Sequence, residues 1–463
     1  MKLSQTKALF EPSVPKQLAQ SLRVEGCSSR TWKLSVPGSK SVTNRALVLA
    51  GLSAQPIELC SPLLADDTWW GFCALEKLGF DFDLSQFPQR VRIAPPQAPG
   101  NGIQNISLHL GQAGTLARFL PALLLNWQTL YPNVPIDRFT LDADAQLQRR
   151  PLTPLLEALR SLGARIEFDH LPLQIQSSPL QGQTQIDGSQ SGQFLSGLLL
   201  AAAGSRRQCR ISRVNNLVQP DYVRITLAML NEFGADVVHD NDLHEFSIEA
   251  KTWRPPESYS VEADASTACY FIALACVLGA ELSIENLGSK TLQPDFQFLE
   301  ILKSFGFPVY WKEFSCGVGA AVPRLPSAES SMLHLDMSAC SDQAITAGVV
   351  ALCTGQGVRV SGVAHIRHHE SNRIAAFCAN ARALGVAVQE FEDGFLVPGG
   401  TKVEHLHGVW PTHHDHRFAL AGLVLAACAP QLSVLNVECM KKTAPHALAH
   451  LMGIGFSFDQ GIV

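Results

Sequence analysis

The sequence predicts an α+β protein of two similar domains, each made of three repeated units, and three observations carry that prediction. An amphipathic helix that closes on a glycine and runs into an extended segment recurs six times. The copies are ALEKLGFDFDL, ALRSLGARIEF, MLNEFGADVVH, ILKSFGFPVYW, ARALGVAVQE and HLMGIGFSFDQ, with Gly79, Gly163, Gly234, Gly306, Gly385 and Gly455 spaced 70 to 84 residues apart. Apolar runs (FLSGLLLAAAG, FIALACVLGA, FALAGLVLAACA) fall between these junctions. The chain is also long, 463 residues, with 46% hydrophobic and only 17% charged residues, enough to bury two cores.

One helix-glycine-strand junction means little in an α/β protein, but six at near-constant spacing indicate repetition, with a period too long for a solenoid of short repeats. Glycine suits each junction because the residue after a helix often takes positive φ, which a Cβ makes costly. The apolar runs are about half of the roughly 20 residues that span a bilayer, so they read as buried helices. Breaks near LSVPGSK and RPPESYSVEADAS place the first domain at 38–260 and the second at 261–463. Residues 1–37 are expected to cross back to the second domain.

A net charge of −5 supplies no global basic field for nucleic acid. The twelve cysteines, Cys27 to Cys439, form no CxxC pair and suit reduced thiols; with no apolar stretch of secretory type at the start, a cytoplasmic, membrane-free and monomeric protein is expected.

Chemistry concentrates in short motifs. Pro37-Gly38-Ser39-Lys40-Ser41-Val42-Thr43-Asn44-Arg45 leads into a helix whose first turns carry two cations, an arrangement suited to an anion; it lacks the glycine spacing of a P-loop. Leu110-Gly111-Gln112-Ala113-Gly114-Thr115-Leu116-Ala117-Arg118 opens a helix on small residues, and Gln148-Arg149-Arg150-Pro151-Leu152 offers two arginines before another. Asp187-Gly188-Ser189-Gln190-Ser191-Gly192-Gln193 follows. The second half continues with Asp264-Ala265-Ser266, Ser341-Asp342-Gln343, Glu370-Ser371-Asn372-Arg373, Asp415-His416-Arg417 and Lys441-Lys442-Thr443.

In their order and spacing these nine motifs, spread from about residue 35 to 450, resemble the 5-enolpyruvylshikimate-3-phosphate (EPSP) synthases, enolpyruvyl transferases. The resemblance implies a pair of domains of inside-out α/β barrel type with the active site in the interdomain cleft, and a ligand that draws them together. It implies transfer of the enolpyruvyl group of phosphoenolpyruvate to a hydroxyl of a shikimate-3-phosphate-like acceptor, with release of phosphate and without cofactor or metal. By matching, Lys40, Gly114, Arg150, Gln193, Arg373, His416, Arg417 and Lys442 look like the phosphoenolpyruvate site. Asp342, Glu370 and Lys40 look like the proton-transfer groups. Ser41, Arg45, Ser191, Gln193, Tyr222, Asp342, His365 and His369 look like the acceptor contacts. Guanidinium forks and ammonium charges are what a small trianion requires.

The departures fall on the acceptor side. His369 stands where the family has a lysine and is expected to titrate near neutral pH; Gly192 replaces a serine, His365 and Gln112 replace asparagines, and Gln219-Pro220-Asp221-Tyr222 replaces Ser-Lys-Pro-Tyr. Two alternatives stay open: the same chemistry on a different acceptor, including a non-phosphorylated cyclic one, or a catalytically silent ligand-binding protein. The related transferase acting on UDP-N-acetylglucosamine is disfavoured because no cysteine lies near Gly111–Arg118. The acidic balance disfavours a relative acting on RNA ends. The clusters His365/His368/His369 and His413/His414/His416 lack recognised metal-ligand spacing.

Overall fold

The computed structural model describes residues 3–11, 18, 20–97, 105–319 and 332–461, the side chains of residues 4 and 5 apart. The chain divides into two compact units, Met1–Phe10 with Gly38–Glu262 and Glu11–Pro37 with Ala263–Val463.

Each unit contains three four-stranded sheets among the described residues. One of them shows the pattern: Asn105–His109 runs parallel to Arg138–Asp142, which pairs antiparallel with Leu173–Gln176, itself antiparallel to Arg165–Glu167. The same one-parallel, two-antiparallel order recurs in all six. Each repeat adds two principal helices. In the first unit these are α1 (Lys40–Ser53) and α2 (Asp66–Lys77), α3 (Gly114–Leu125) and α4 (Thr153–Ser161), and α5 (Gly192–Gly204) and α6 (Pro220–Glu232). In the second they are α7 (Ala265–Leu278) and α8 (Phe298–Ser304), α9 (Ala344–Thr354) and α10 (Arg373–Ala383), and α11 (His416–Cys428) and α12 (Ala447–Gly453).

The odd-numbered helices, three of which contain the apolar runs, are almost wholly buried. Every residue of α3 is buried, as is every residue of α5 except Gln193. A helix without a polar face must pack against others; accordingly α1, α3 and α5 pack together in the first unit, and α7, α9 and α11 in the second. The even-numbered helices are covers with one apolar face, as in α4, where Leu155, Leu156, Ala158 and Leu159 are buried. The expected junction glycines all adopt positive φ, from 79° at Gly234 to 104° at Gly455. The six-repeat α+β reading is therefore observed.

The first residues depart from expectation. Leu3–Phe10 forms a short 3-10 helix that packs in the first unit, where the Phe10 ring lies 5.0 Å from Trp69 and 5.7 Å from Phe72. An aromatic side chain that size finds its cover on α2. The later part behaves differently: Ser21–Cys27 pairs with Phe456–Gln460 and Gln431–Leu435, and Thr31–Leu34 runs parallel to Glu281–Ile284, all in the second unit.

One close helix approach tests this packing. A Cβ on Gly197 of α5 would stand 2.4 Å from the carbonyl oxygen of Arg118 on α3. Gly197→Ala is expected to lower stability by about 1–3 kcal/mol, read as a lower denaturant midpoint at unchanged slope.

Candidate active site

In the second unit the motif residues converge at helix N-termini. Asp415 caps α11: its carboxylate accepts the Arg417 backbone N–H at 3.0 Å and lies wholly inside the protein. The same carboxylate takes Arg373, the first residue of α10, through Nε at 2.8 Å and Nη2 at 3.3 Å, and the Ser371 hydroxyl at 3.1 Å. Arg373 then reaches out with Nη1 to Asp342 Oδ1 at 2.9 Å, while Arg417 Nη2 contacts Asp342 Oδ2 at 2.6 Å. Burial alone would lower the Arg373 pKa, but Asp415 and Asp342 outweigh it and hold the guanidinium above its ordinary value. Burial pushes the Asp415 pKa up, but Arg373 and His416 together hold it below the ordinary value.

Glu370 forms a second knot. Its carboxylate pairs with Lys442 Nζ at 2.9 Å and with His416 Nδ1 at 3.0 Å. Burial would raise the Glu370 pKa; His416 and Lys442 together hold it well below the ordinary carboxyl range. Glu370, Asp415 and His416 bring ligand-type atoms within 4.8 Å of one another. Each of these carboxylates already faces a cation, Lys442 or Arg373, so the cluster is built as an ion-pair network. His413 is tied to Asn380 at 2.9 Å.

In the first unit the motifs again sit at helix starts. Lys40 opens α1 and lies 3.4 Å from Asp67 at the start of α2, a carboxylate that is only 2% exposed. Gly114 opens α3, and a Cβ there would stand 3.1 Å from Nη1 of both Arg118 and Arg150. Two guanidinium groups thus converge on one helix N-terminus, where N–H groups and helix dipole also favour an anion. Arg118 donates to the Gly114 carbonyl at 2.8 Å, and burial with the Arg150 charge lowers its pKa to about 9.

The expected acceptor contacts divide. Ser191 caps α5 by accepting the Gln193 backbone N–H at 3.3 Å. Ser41 stands at the partly exposed start of α1 and Tyr222 in the first turn of α6. Arg45 is 1% exposed and its guanidinium is held by Thr226 Oγ1 at 2.7 Å, the Ser41 carbonyl at 3.0 Å and the Tyr222 carbonyl at 2.9 Å. Burial lowers its pKa to about 10. Position 192 has no room for a side chain, since a Cβ would lie 2.8 Å from the Val218 carbonyl.

His365 Nε2 meets the Ser341 hydroxyl at 2.8 Å, and His369 Nδ1 lies 3.0 Å from Arg373 Nη1. A guanidinium can only donate, so His369 Nδ1 accepts and the ring is neutral. Burial, then Arg373, lower its pKa to about 3. The expectation that His369 titrates near neutral pH is therefore corrected: the ring sits against a fixed cation.

A sequence model of EPSP synthase (3-phosphoshikimate 1-carboxyvinyltransferase) matches residues 24–451. The chain belongs to the EPSP synthase family. Among EPSP synthase relatives, 3-phosphoshikimate 1-carboxyvinyltransferase 2 of Halalkalibacterium halodurans is 33% identical over 432 residues, 91% of each chain. The 3-phosphoshikimate 1-carboxyvinyltransferase of Vibrio cholerae is 32% identical over 92% of this chain and 97% of its own. The solved EPSP synthase of Acinetobacter baumannii aligns with a TM-score of 0.75 at 21% identity, covering 95% of this chain and all of that one, and so shares its fold.

Sequence reasoning missed Asp67, and it quoted Asp415 and Arg118 inside motifs without giving either a role in the site. A signal existed for Asp415, an acid just ahead of an apolar helical run. Asp67 offered none, because its partner lies 27 residues upstream on another helix.

The His369 assignment carries a pH prediction. The unfolded chain protonates this side chain near 6.5 while the native one resists until about 3. Its contribution is fully present above pH 6.5 and declines as pH falls towards 3, because only the unfolded state takes the proton. His369→Gln should flatten the loss of stability across that window, and the wild-type ring should give no NMR titration between pH 5 and 8.

Proposed function

We propose that the chain transfers the enolpyruvyl group of phosphoenolpyruvate to a hydroxyl of shikimate 3-phosphate and releases phosphate. The observation that carries this reading is the network of Asp342, Arg373, Arg417, Glu370, Lys442 and His416 in the second unit, in a chain matched to the family over residues 24–451.

The reading assigns Lys40, Gly114, Arg150 and Gln193 of the first unit, and Arg373, His416, Arg417 and Lys442 of the second, to the phosphate and carboxylate of phosphoenolpyruvate. Asp342 takes the proton of the acceptor hydroxyl as its oxygen bonds to C2. Lys40 delivers a proton to C3, giving a tetrahedral adduct. Glu370, held ionised by its neighbours, then receives a C3 proton as the C2–O bond to phosphate breaks and the double bond re-forms. The fixed cations hold the negative charge that shifts onto phosphate, and their positions need no reorganisation during the reaction. Ser41, Arg45, Ser191, Gln193, Tyr222, His365 and His369 are assigned to the acceptor.

A second reading, a changed acceptor, is favoured by the neutral ring of His369 and the closed position 192. Both replace groups that the resemblance places on the acceptor, and each lost charge-assisted contact weakens binding by about 1.5–3 kcal/mol.

Phosphate release should require both phosphoenolpyruvate and an acceptor. With shikimate 3-phosphate, Lys40→Ala and Arg150→Ala are each expected to lower kcat/KM by about 100-fold or more with the fold intact by circular dichroism. No turnover with shikimate 3-phosphate, shikimate or other cyclic polyols would refute the transferase reading; turnover with shikimate alone would select the second acceptor reading.

A further inference from the structure

The two arginines assigned to phosphoenolpyruvate already hold a carboxylate. Asp342 places one oxygen 2.9 Å from Arg373 Nη1 and the other 2.6 Å from Arg417 Nη2. Asp342 is 16% exposed, against 3% for Arg373 and 7% for Arg417, so it stands on the solvent side of the pair. Neither arginine can turn aside to make room. Arg373 is locked from behind through Nε and Nη2 on Asp415, and Arg417 Nη1 lies 3.3 Å from the Tyr270 hydroxyl in the interior. The forward-facing edges of both guanidinium groups therefore converge on one carboxylate, in the geometry that a carboxylate ligand would adopt.

Resting on the proposed function, we infer that Asp342 is the enzyme's own occupant of the Arg373–Arg417 pair, and that the carboxylate of phosphoenolpyruvate displaces it. Until that exchange the base is masked, because both its oxygens are engaged by cations and a proton arriving there must compete with them. When the ligand takes the two forks, the Asp342 carboxylate loses those partners and becomes available to the acceptor hydroxyl. Binding of one substrate thereby uncovers the base that acts on the other. No covalent bond changes in this exchange: one carboxylate replaces another on the same donors.

The inference makes an unusual demand on mutagenesis. Removing a general base ordinarily lowers turnover and leaves the first ligand's affinity alone. Here, Asp342→Asn removes the competing charge with little change of shape, so it should tighten phosphoenolpyruvate, measured by titration calorimetry without acceptor, by about tenfold. Turnover should fall at the same time. Asp342→Glu keeps the charge and should keep wild-type affinity, which separates displacement from a general disturbance of the site. If the Asn substitution loosens the fold, seen as a lower melting temperature, Asp342→Ser supplies the same test. Wild-type binding of phosphoenolpyruvate with no tightening in the folded neutral variants overturns the displacement and leaves the functional reading standing. Absence of phosphoenolpyruvate binding by wild type and variants alike overturns both.

Discussion

Helices α3, α5, α7, α9 and α11 have almost no polar face to give to water, and that constraint organises the molecule. Such helices are stable only when enclosed, so α3 and α5 gather with α1 in the centre of the first unit and α7, α9 and α11 in the centre of the second, and the amphipathic helices and sheets are left to cover them. Bundling fixes where their ends lie. The N-terminal ends, where four backbone N–H groups per helix lack intrahelical partners, are where the polar motifs sit: Lys40 opening α1, Gly114 opening α3, Ser191 before α5, Asp342 before α9 and Asp415 before α11. Packing and chemistry are thus parts of one arrangement, since the most apolar segments supply the positive ends around which charged side chains collect.

Within the second unit the charges nearly balance. Asp342, Asp415 and Glu370 face Arg373, Arg417 and Lys442, while His369 is neutral beside a guanidinium. Most of these groups are buried, and a buried ion stripped of its partner costs about 3–5 kcal/mol, so the network tolerates change only as a set. Asp415 is the member on which the others lean: it joins the start of α11 to the start of α10 and leaves Arg373 one direction in which to point.

The repeat structure could be read from the sequence because it rests on local signals. The glycine after each amphipathic helix must adopt positive φ, and the apolar runs have one way to avoid water. The site was readable only in part. Motif residues at helix starts were found because helix caps and small residues leave a mark on the sequence. Asp67 was not, since its role arises from Lys40 on a neighbouring helix, and the role of Arg118 emerged only from its closeness to Arg150. His369 shows the same limit in sharper form: its residue type suggests a group that titrates, and only the position of Arg373 Nη1 makes it a hydrogen-bond acceptor with no charge. The closed space at Gly192 depends likewise on the course of Val218 and Gln219.

The pairing of Ser21–Cys27 with Phe456–Gln460 sets the order of events on the ribosome. Ser21–Cys27 belongs to a sheet completed by a strand about four hundred residues further along, so the second unit waits for that length to be made. The segment Gly38–Glu262 is continuous and needs nothing beyond it but the first few residues. Synthesis therefore delivers one compact body early and leaves Ser21–Cys27 without its partners until Gln431–Leu435 and Phe456–Gln460 are made, the stretch in which a chaperone has the most to protect.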